Sequence, residues 1–334
     1  MDSPRPSARS GRRHLVSGTC ALLVFCLLVA CTAQEFPSTA QGGNAATPGS
    51  NAQRSASGSI QADTASRGRI GIRAPTAILI DVRTGHILYA KHPDQRRPIA
   101  SIAKIMTALL VLERARLSDV AGVSWRAAKA PPIRLGLKRR QRISVRDLLW
   151  GLLLWSGNDA SLALAEHVSG SVTAFLDLMN ARGQTLGLRD TYFASPSGLN
   201  DRGYSTVRDV ATLTRVALQN STFAQIVATR RHWIPGPPAQ IHRLRNLNGL
   251  LPSYPGAVGV KTGYTEAAGN CVVGAAARGH RLLLAVVLGD PASTQWRSAY
   301  ADIRRLLNYG FVMDLPTAAG LGSVAAPVSS SLRA

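Results

Sequence analysis

Ala257-Val-Gly-Val-Lys-Thr-Gly263 is the stretch that decides the fold of this 334-residue chain. Its small and β-branched residues predict a strand, and a glycine stands on either side of the lysine. Glycine in a strand often marks a close approach by another group, so we expect a substrate to bind alongside this strand. The alternative for this motif alone is an edge strand with a solubilising lysine.

Four further segments have the apolar pattern of strands and pair as two hairpins: Thr76–Val82 with His86–Ala90, and Cys271–Ala277 with Arg281–Leu288. Residues 101–230 are mostly helical by their apolar spacing, and Gln295–Tyr309 predicts a closing helix. This order predicts an α/β (α+β) fold, in which one antiparallel sheet flanked by helices lies beside a helical lobe. Ser101 would lie at the junction, where a cleft forms readily.

Ser101 and Lys104 are three residues apart, so in a helix their side chains share one face. A serine hydroxyl becomes a nucleophile when a nearby base accepts its proton. A lysine serves as that base only if its pKa falls, and both burial and a second cation such as Lys261 lower it. The alternative for this pair alone is an ordinary helix with a solvated lysine.

Ser156, Asn158 and Asp159 form a polar group between two very apolar stretches. One interpretation is a helix end followed by an Asn or Asp cap that starts the next helix. A loop between buried helices also directs Ser156 and Asn158 into a cleft, where one relays a proton and the other holds a substrate amide. The two interpretations are compatible.

Lysine is scarce, because only five of the 39 basic residues are lysine. Two of the five fall in Ser101-Ile-Ala-Lys104 and Lys261-Thr-Gly263, with Ser156-Gly-Asn158 between them. The set resembles the S-x-x-K, S-x-N and K-T-G signature of penicillin-binding proteins and serine β-lactamases. Four segments narrow the resemblance to the D-alanyl-D-alanine carboxypeptidases of peptidase family S11: Arg96–Thr107, Ser156-Gly-Asn-Asp-Ala160, Ser195-Pro-Ser-Gly-Leu199 and Tyr254–Gly269.

The resemblance implies a β-lactamase/transpeptidase-like fold and a hydrolase without cofactor or metal. Such an enzyme removes the terminal D-alanine of peptidoglycan stem peptides through an acyl-enzyme on Ser101. Lys104 would accept the proton of Ser101, and Ser156, kept in place by Asn158 and Lys104, would pass it to the departing D-alanine. β-Lactams would acylate the same serine as inhibitors.

The resemblance also implies a set of substrate-binding residues: Asn158, Lys261, Thr262, Gly263 and Tyr264. Lys261 and Thr262 would bind the terminal carboxylate. Tyr264 would contribute its backbone N–H to the oxyanion site, together with that of Ser101.

Three other functions remain open. A D,D-endopeptidase that cuts peptidoglycan cross-links would have the same motifs. A class A β-lactamase needs a deacylating glutamate, and Glu166, the only glutamate between Ser156 and Lys261, lacks the expected Glu-x-x-Asn context. A non-catalytic wall-binding lipoprotein would keep the motifs without the activity.

Arginines in the first thirteen residues precede a short apolar run, Cys20–Cys31, which is typical of a signal peptide and too short to span a bilayer. Leu28-Val-Ala-Cys31 resembles a bacterial lipobox, so residues 1–31 are interpreted as a signal peptide with lipobox. The alternative is ordinary cleavage after Ala33. The protein would be exported and anchored to a membrane through lipidated Cys31.

The small polar composition of residues 32–72 predicts a flexible linker before a catalytic domain at 73–312. Residues 313–334 lack a helical apolar period, which predicts a disordered tail without the additional domain of longer carboxypeptidases. Cys271 has a buried-strand context and is predicted to be an inert core thiol.

The formal charge of +21 raises the question of a polyanionic partner. The arginines are scattered, aromatic residues make up only 5%, and the export signal removes the chain from the cytoplasm. We therefore expect no nucleic acid, but anionic lipids or wall polymers as partners of a monomer. General solubility is the alternative explanation of the charge.

Overall fold

The computed structural model describes residues 70–236 and 240–313. The predicted signal peptide with its predicted lipidation site Cys31, nearly all of the predicted linker and nearly all of the predicted tail lie outside the described residues. Within them, the strands are β1 (Thr76–Asp81), β2 (Ile87–Lys91), β3 (Val120–Gly122), β4 (Arg142–Ser144), β5 (Arg231–Gly236), β6 (Gln240–Arg245), β7 (Ala257–Thr265), β8 (Gly269–Arg278) and β9 (Arg281–Asp290).

The helices of the same part of the chain are α1 (Lys104–Arg114), α2 (Trp125–Ala128), α3 (Val145–Leu153), α4 (Asn158–Ser169), α5 (Val172–Thr185), α6 (Val207–Ala217), α7 (Ser221–Ala228) and α8 (Arg297–Val312). Short 3₁₀ turns precede α1, at Ala100–Ala103, and α8, at Ala292–Thr294. Among these helices, none has the length and apolar character needed to cross a membrane.

Five strands form one antiparallel sheet in the order β2-β1-β9-β8-β7. Every residue of β1 is buried, because both faces of the sheet are covered. Ile78 and Ile80 belong to the core shared with the helical lobe, whereas Ala77 and Leu79 belong to the core beneath α8. This alternation is the period of two that a strand imposes on its side chains.

The helical lobe packs on the face of the sheet opposite α8. Its central helix α1 is buried from Lys104 to Val111, so the first residue of the helix is a lysine enclosed in an apolar core. Five of the described helices begin after a residue whose side chain accepts a hydrogen bond from a backbone N–H group. These capping residues are Ser124 of α2, Ser144 of α3, Ser171 of α5, Thr206 of α6 and Asn220 of α7.

The predicted α+β fold is confirmed, with both predicted hairpins in the one sheet and the closing helix packed on it. Two small hairpins, β3 with β4 and β5 with β6, were not predicted. Cys271 is a buried free thiol in β8. Burial raises the pKa of this thiol to about 12, which agrees with the predicted inert role.

Candidate active site

Ser101 lies on the 3₁₀ turn that leads directly into α1. Its side chain is half-buried and lines a cleft between the sheet and the helical lobe. The preceding residue, Ala100, has a φ of 47°, a left-handed conformation that costs energy for a residue other than glycine. Its carbonyl oxygen would lie 1.8 Å from a Cβ atom at Gly198. Glycine at position 198 therefore lets its loop pack against the turn that carries Ser101.

Lys104 is fully buried and has three polar neighbours. Its Nζ donates to Asn158 Oδ1 at 2.8 Å and to the carbonyl oxygen of Ser197 at 2.7 Å. The third neighbour is Ser101 Oγ, at 2.8 Å. A neutral amine has two N–H donors and one lone pair. The two oxygens satisfy both donors, so the lone pair remains for the hydroxyl proton of Ser101.

The pKa of Lys104 is lowered well below its ordinary value, first by burial, which disfavours the ammonium form, and then by the like charge of Lys261. Asp159 acts in the opposite direction. Lys261 therefore has the effect on the pKa of Lys104 that a second cation would have. A neutral Lys104 in contact with Ser101 is the form of lysine that accepts a proton.

Ser156 lies in the loop between α3 and α4, with a φ of 65°. Its Oγ accepts a hydrogen bond from Lys261 Nζ at 3.0 Å, and both side chains are buried. Burial also lowers the pKa of Lys261 to about 7. The sequence predicts that Asn158 and Lys104 hold Ser156 in place. In the structure, the hydroxyl of Ser156 is bound by Lys261. Lys104 and Asn158 bind each other instead.

Asn158 begins α4 and connects two parts of the site. Its Oδ1 accepts from Lys104, and its Nδ2 donates to the carbonyl oxygens of Pro131 and Pro132 at 3.1 and 2.9 Å. Both polar ends of the side chain are thus engaged within the protein. Asn158 positions Lys104, and its contact with a substrate amide stays a prediction.

Asp159 is fully buried, and its carboxylate binds a neighbouring loop. It accepts backbone N–H groups at 2.9, 2.8 and 3.1 Å from Leu135, Gly136 and Leu137. The cap residue of α4 is Gly157, which provides no side-chain hydrogen bond. The predicted Asn or Asp cap is therefore not found, and Asp159 instead fixes the loop whose carbonyl groups hold Asn158.

Gly263 is the point where β7 touches the turn that carries Ser101. A Cβ atom at this position would lie 2.8 Å from Ser101 N and 3.0 Å from Ile99 O, which is too close for two backbone atoms that are held in place. The glycine in this strand does mark a close approach, as predicted. The approaching group is the chain's own backbone, and not the substrate that the strand pattern predicts.

The cleft has a volume of about 430 Å³. Its lining residues are Ser101, Pro132, Ile133, Ser156, Asn158, Leu199, Leu247, Thr262, Gly263, Tyr264 and Trp296. Lys104 and Lys261 are not in this set and lie behind Ser101 and Ser156, each within hydrogen-bond distance of its serine. The structure therefore brings all eight predicted catalytic and substrate-binding residues together, whereas Cys31 lies outside the described residues.

Three contributors were not predicted as site residues. The carbonyl group of Ser197 binds Lys104, the Asp159 carboxylate fixes a loop, and Trp296 forms one wall of the cleft. The segment Ser195–Leu199 had been singled out for its resemblance, which is the signal that pointed to this carbonyl. Trp296 follows the last strand, and no motif marks it.

The arrangement is suited to acyl transfer. A hydroxyl beside a neutral amine is an activated nucleophile, and a second hydroxyl held by a second lysine lies across the same cleft. Among residues 70–236 and 240–313, no group of three or more His, Cys, Asp or Glu side chains is placed to hold a metal ion.

The profile of Peptidase S11, described as D-alanyl-D-alanine carboxypeptidase, matches residues 61–292. The D-alanyl-D-alanine carboxypeptidase of a Streptomyces species is 38% identical over 248 residues, which are 69% of this chain and 84% of that protein. The D-alanyl-D-alanine endopeptidase of Escherichia coli is 33% identical over 254 residues, 74% of this chain and 81% of that protein.

The carboxypeptidase DacF of Bacillus subtilis is 35% identical over 244 residues, which cover 71% of this chain but only 62% of that protein. Among solved structures, the D-alanyl-D-alanine carboxypeptidase of Mycobacterium tuberculosis superposes with a TM-score of 0.72 at 33% identity. The superposition covers 75% of this chain and 96% of that one. The fold, the order of the motifs and these matches lead to one conclusion: the chain belongs to the S11 family of serine D-alanyl-D-alanine peptidases.

Proposed function

We propose that this protein is a penicillin-sensitive serine D-alanyl-D-alanine carboxypeptidase that removes the terminal D-alanine of peptidoglycan stem peptides. The observation that carries the proposal is the hydrogen-bond environment of Lys104. Its two N–H donors are satisfied by Asn158 and Ser197, and its lone pair is left for Ser101. Burial and the like charge of Lys261 lower the pKa of Lys104, which favours the neutral amine that this role requires.

Acylation begins when Ser101 attacks the penultimate D-alanine carbonyl and Lys104 accepts its proton. The backbone N–H groups of Ser101 and Tyr264 stabilise the oxyanion. Thr262 in the wall of the cleft binds the terminal carboxylate, and Lys261 behind it adds positive charge. Ser156 gives its hydroxyl proton to the departing amine and receives the proton held by Lys104, so the proton of Ser101 ends on the released D-alanine. Water then hydrolyses the ester, with Lys104 or Ser156 assisting.

The test is D-alanine release from a synthetic stem pentapeptide. We expect release by the protein as purified and none by Ser101→Ala. Lys104→Met should retain the fold but lose at least about 100-fold in kcat/KM, because loss of a positioned base costs on that order. Release by Ser101→Ala at the original rate would contradict the assignment.

A D,D-endopeptidase remains the second candidate, because a relative at 33% identity is named as one. Both reactions break an amide bond after a D-alanyl carbonyl and differ in the leaving amine. Comparing kcat/KM for a pentapeptide and for a cross-linked dimer separates them. Faster cleavage of the dimer would make endopeptidase the preferred function and carboxypeptidase the second candidate.

The geometry speaks against a class A β-lactamase. Glu166 is on α4, and the cavity that it lines is formed by residues near Gly122 and Gly170. It does not line the cleft of Ser101. We therefore expect penicillin esters of Ser101 to hydrolyse slowly.

We also propose export, and anchoring of residues 73–312 to a membrane by a lipid on Cys31. The support is the Leu28-Val-Ala-Cys31 sequence after an apolar run, followed by a composition that suits a flexible linker. Expression in a bacterium and detergent-phase partition test this. The unchanged protein should enter the detergent phase and Cys31→Ser should not, and equal partition of both would contradict lipidation.

A further inference from the structure

A cavity of about 570 Å³ lies at the first turn of α8. Its lining residues are polar or charged, with the single exception of Ala301. It shares no lining residue with the cleft of Ser101. Gln295 and Arg297 line this cavity, whereas Trp296 between them lines the cleft. The cavity is therefore a site distinct from the cleft.

The helix α8 begins without a capping side chain, because Trp296 before it provides no side-chain hydrogen bond. Its first recorded backbone bond runs from Tyr300 N to the carbonyl oxygen of Trp296, at 3.0 Å. The N–H groups of Arg297, Ser298 and Ala299 therefore have no partner within the helix. Since α8 is 16 residues long, these N–H groups carry the positive end of its dipole, which favours a bound anion.

Ser298 provides a second and independent indication of a ligand. The residue is 7% exposed and lines the cavity. Its Oγ is buried and has no hydrogen-bond partner among the described residues. A buried hydroxyl without a partner is costly, and in the first turn of a helix there is no preceding turn whose carbonyl oxygen it can bind. An acceptor in the cavity would give this hydroxyl its partner.

Two arginines give the cavity its positive charge. Arg73 and Arg297 are both exposed, and neither takes part in a salt bridge recorded for residues 70–236 and 240–313. Each guanidinium group offers a planar set of N–H donors that suits the oxygens of an anion. The two arginines belong to distant segments of the chain, and the fold brings both to the wall of one cavity.

Two carboxylates adjoin the cavity without lining it, and each accepts a hydrogen bond from a residue that does. Asp302 Oδ1 accepts from Arg305 at 2.9 Å, and its Oδ2 accepts the backbone N–H of Arg73 at 2.8 Å. Asp290 Oδ2 accepts the hydroxyl of Thr294 at 2.6 Å. Arg305 and Thr294 are thus engaged with these carboxylates. The donors that remain for a ligand are the first-turn N–H groups, the serine hydroxyl and the two other guanidinium groups.

We propose that this cavity, defined by Arg73, Arg297 and Ser298, binds a phosphate group. The oxygens of a phosphate are arranged tetrahedrally, so they accept hydrogen bonds from donors that converge from several directions. Helix N–H groups, a hydroxyl and two guanidinium groups form such a set, whereas a planar carboxylate would use fewer of them. The phosphate is either a free ion or part of a lipid headgroup, since both present the same oxygens. The site goes beyond the proposed peptidase reaction and does not depend on it.

The test is titration calorimetry on the full chain with two water-soluble probes. One is inorganic phosphate, and the other is glycerophosphoglycerol, the headgroup of phosphatidylglycerol without its acyl chains. Acetate at equal ionic strength measures the general attraction of a basic protein for anions. The test variants are Arg297→Gln and Ser298→Ala. The matched control is Arg304→Gln, which removes the same charge from α8 at a position that does not line the cavity.

We expect at least one probe to bind to the unchanged protein at a single site, and more tightly than acetate. Each test variant should weaken this binding by about tenfold or more, because a hydrogen bond to a charged group is lost. Arg304→Gln should leave the affinity within about twofold of its original value. The probe that binds more tightly identifies the source of the phosphate.

No binding of either probe, acetate binding as tight as that of phosphate, an unchanged affinity in a test variant or an equal loss in Arg304→Gln would each overturn the inference. Ser298→Ala should keep the melting temperature of the unchanged protein, because the hydroxyl contributes no hydrogen bond to the fold. All three variants should form the penicillin ester of Ser101 at a rate within about twofold of the original, since none of the three residues lines the cleft. The proposed function is therefore tested separately.

Discussion

At the scale of single residues, the protein depends on two buried lysines whose ammonium groups are costly to enclose. Lys104 is fully buried and Lys261 is 2% exposed. Each contacts a serine hydroxyl, and each has a lowered pKa whose largest cause is burial. Function and stability therefore conflict at these two positions, as is common where a site needs a perturbed group.

Lys261→Met should stabilise the fold while abolishing activity. The pKa of Lys261 falls from 10.5 to about 7 on folding. Below pH 7 both the folded and the unfolded chain carry the charge, so the cost of burial is fully present there. Between pH 7 and 10.5 the unfolded chain binds more protons, so stability rises with pH. At pH 6 the free energy of unfolding of Lys261→Met should exceed that of the unchanged protein by about 2 kcal/mol. This figure allows for the hydrogen bonds of Lys261 that the variant loses, and the difference should vanish near pH 10.5.

Urea unfolding at pH 6, 7 and 9 measures this gain. Lys138→Met removes an exposed lysine and serves as the control, with no comparable pH-dependent gain. A destabilised Lys261→Met at pH 6 would mean that the contacts with Ser156 and Thr262 outweigh the cost of burying the charge.

At the scale of elements, two glycines allow the backbone to pack closely on both sides of the turn that carries Ser101. We call this pair, Gly198 and Gly263, the glycine clamp. Gly198 lies against the carbonyl group of Ala100, and Gly263 of β7 lies against Ser101 N. The clamp holds a left-handed alanine directly before the nucleophile. A site that depends on positions within about 0.5 Å needs such support from rigid elements.

Gly263→Ala should reduce penicillin acylation of Ser101 by about 100-fold or more, because a 1 Å displacement of a reacting group has that effect. A Cβ atom 2.8 Å from Ser101 N forces the strand and the turn apart. Gly122→Ala is the control, since nothing lies within 4 Å of its added Cβ. Acylation of both variants at the original rate would show that the clamp is unimportant.

Asp159→Asn should destabilise the protein by about 2 kcal/mol, because the amide group faces N–H donors that only a carboxylate oxygen satisfies. The loop at Leu135–Leu137 would loosen, and with it the carbonyl groups that hold Asn158. The temperature of thermal unfolding and the rate of acylation should therefore both fall. Asp177→Asn changes an exposed carboxylate on α5 and should alter neither; a matching loss there would contradict the account.

The elements that the sequence predicts well are those with a local signal. Spacing alone places Lys104 one turn from Ser101, and short runs of apolar, small and β-branched residues mark the five strands of the large sheet. β3 and β4 are three residues each, too short for any period. The group of Ser197 that binds Lys104 is its backbone carbonyl, which every residue has. The residue type at position 197 therefore does not predict this bond, which forms only because two distant segments meet in the fold.

At the scale of the whole molecule, one antiparallel sheet separates two cores. The larger core joins the sheet to the helical lobe, and the smaller joins it to α8. The site lies where the first core meets the edge strand β7, which brings together residues 55 and 105 positions apart in the chain. The spacing of these residues in the chain does not predict that they lie close together. That prediction came from the resemblance to a known family.

A shortened protein of residues 70–313 should fold and react with penicillin at a rate within about twofold of the full chain, since both cores and all cleft residues lie inside these limits. Circular dichroism and acylation kinetics measure this. An unfolded or unreactive product would show that residues outside this range contribute to the domain.

The central claim is that Ser101 is a nucleophile activated by Lys104. Mass spectrometry of the purified protein after exposure to penicillin tests it most directly, because ring opening adds the whole inhibitor to the attacking oxygen. We predict a single adduct, mapped by peptide digestion to Ser101 and absent from Ser101→Ala. An adduct on another residue, or none on a folded protein, would contradict the account.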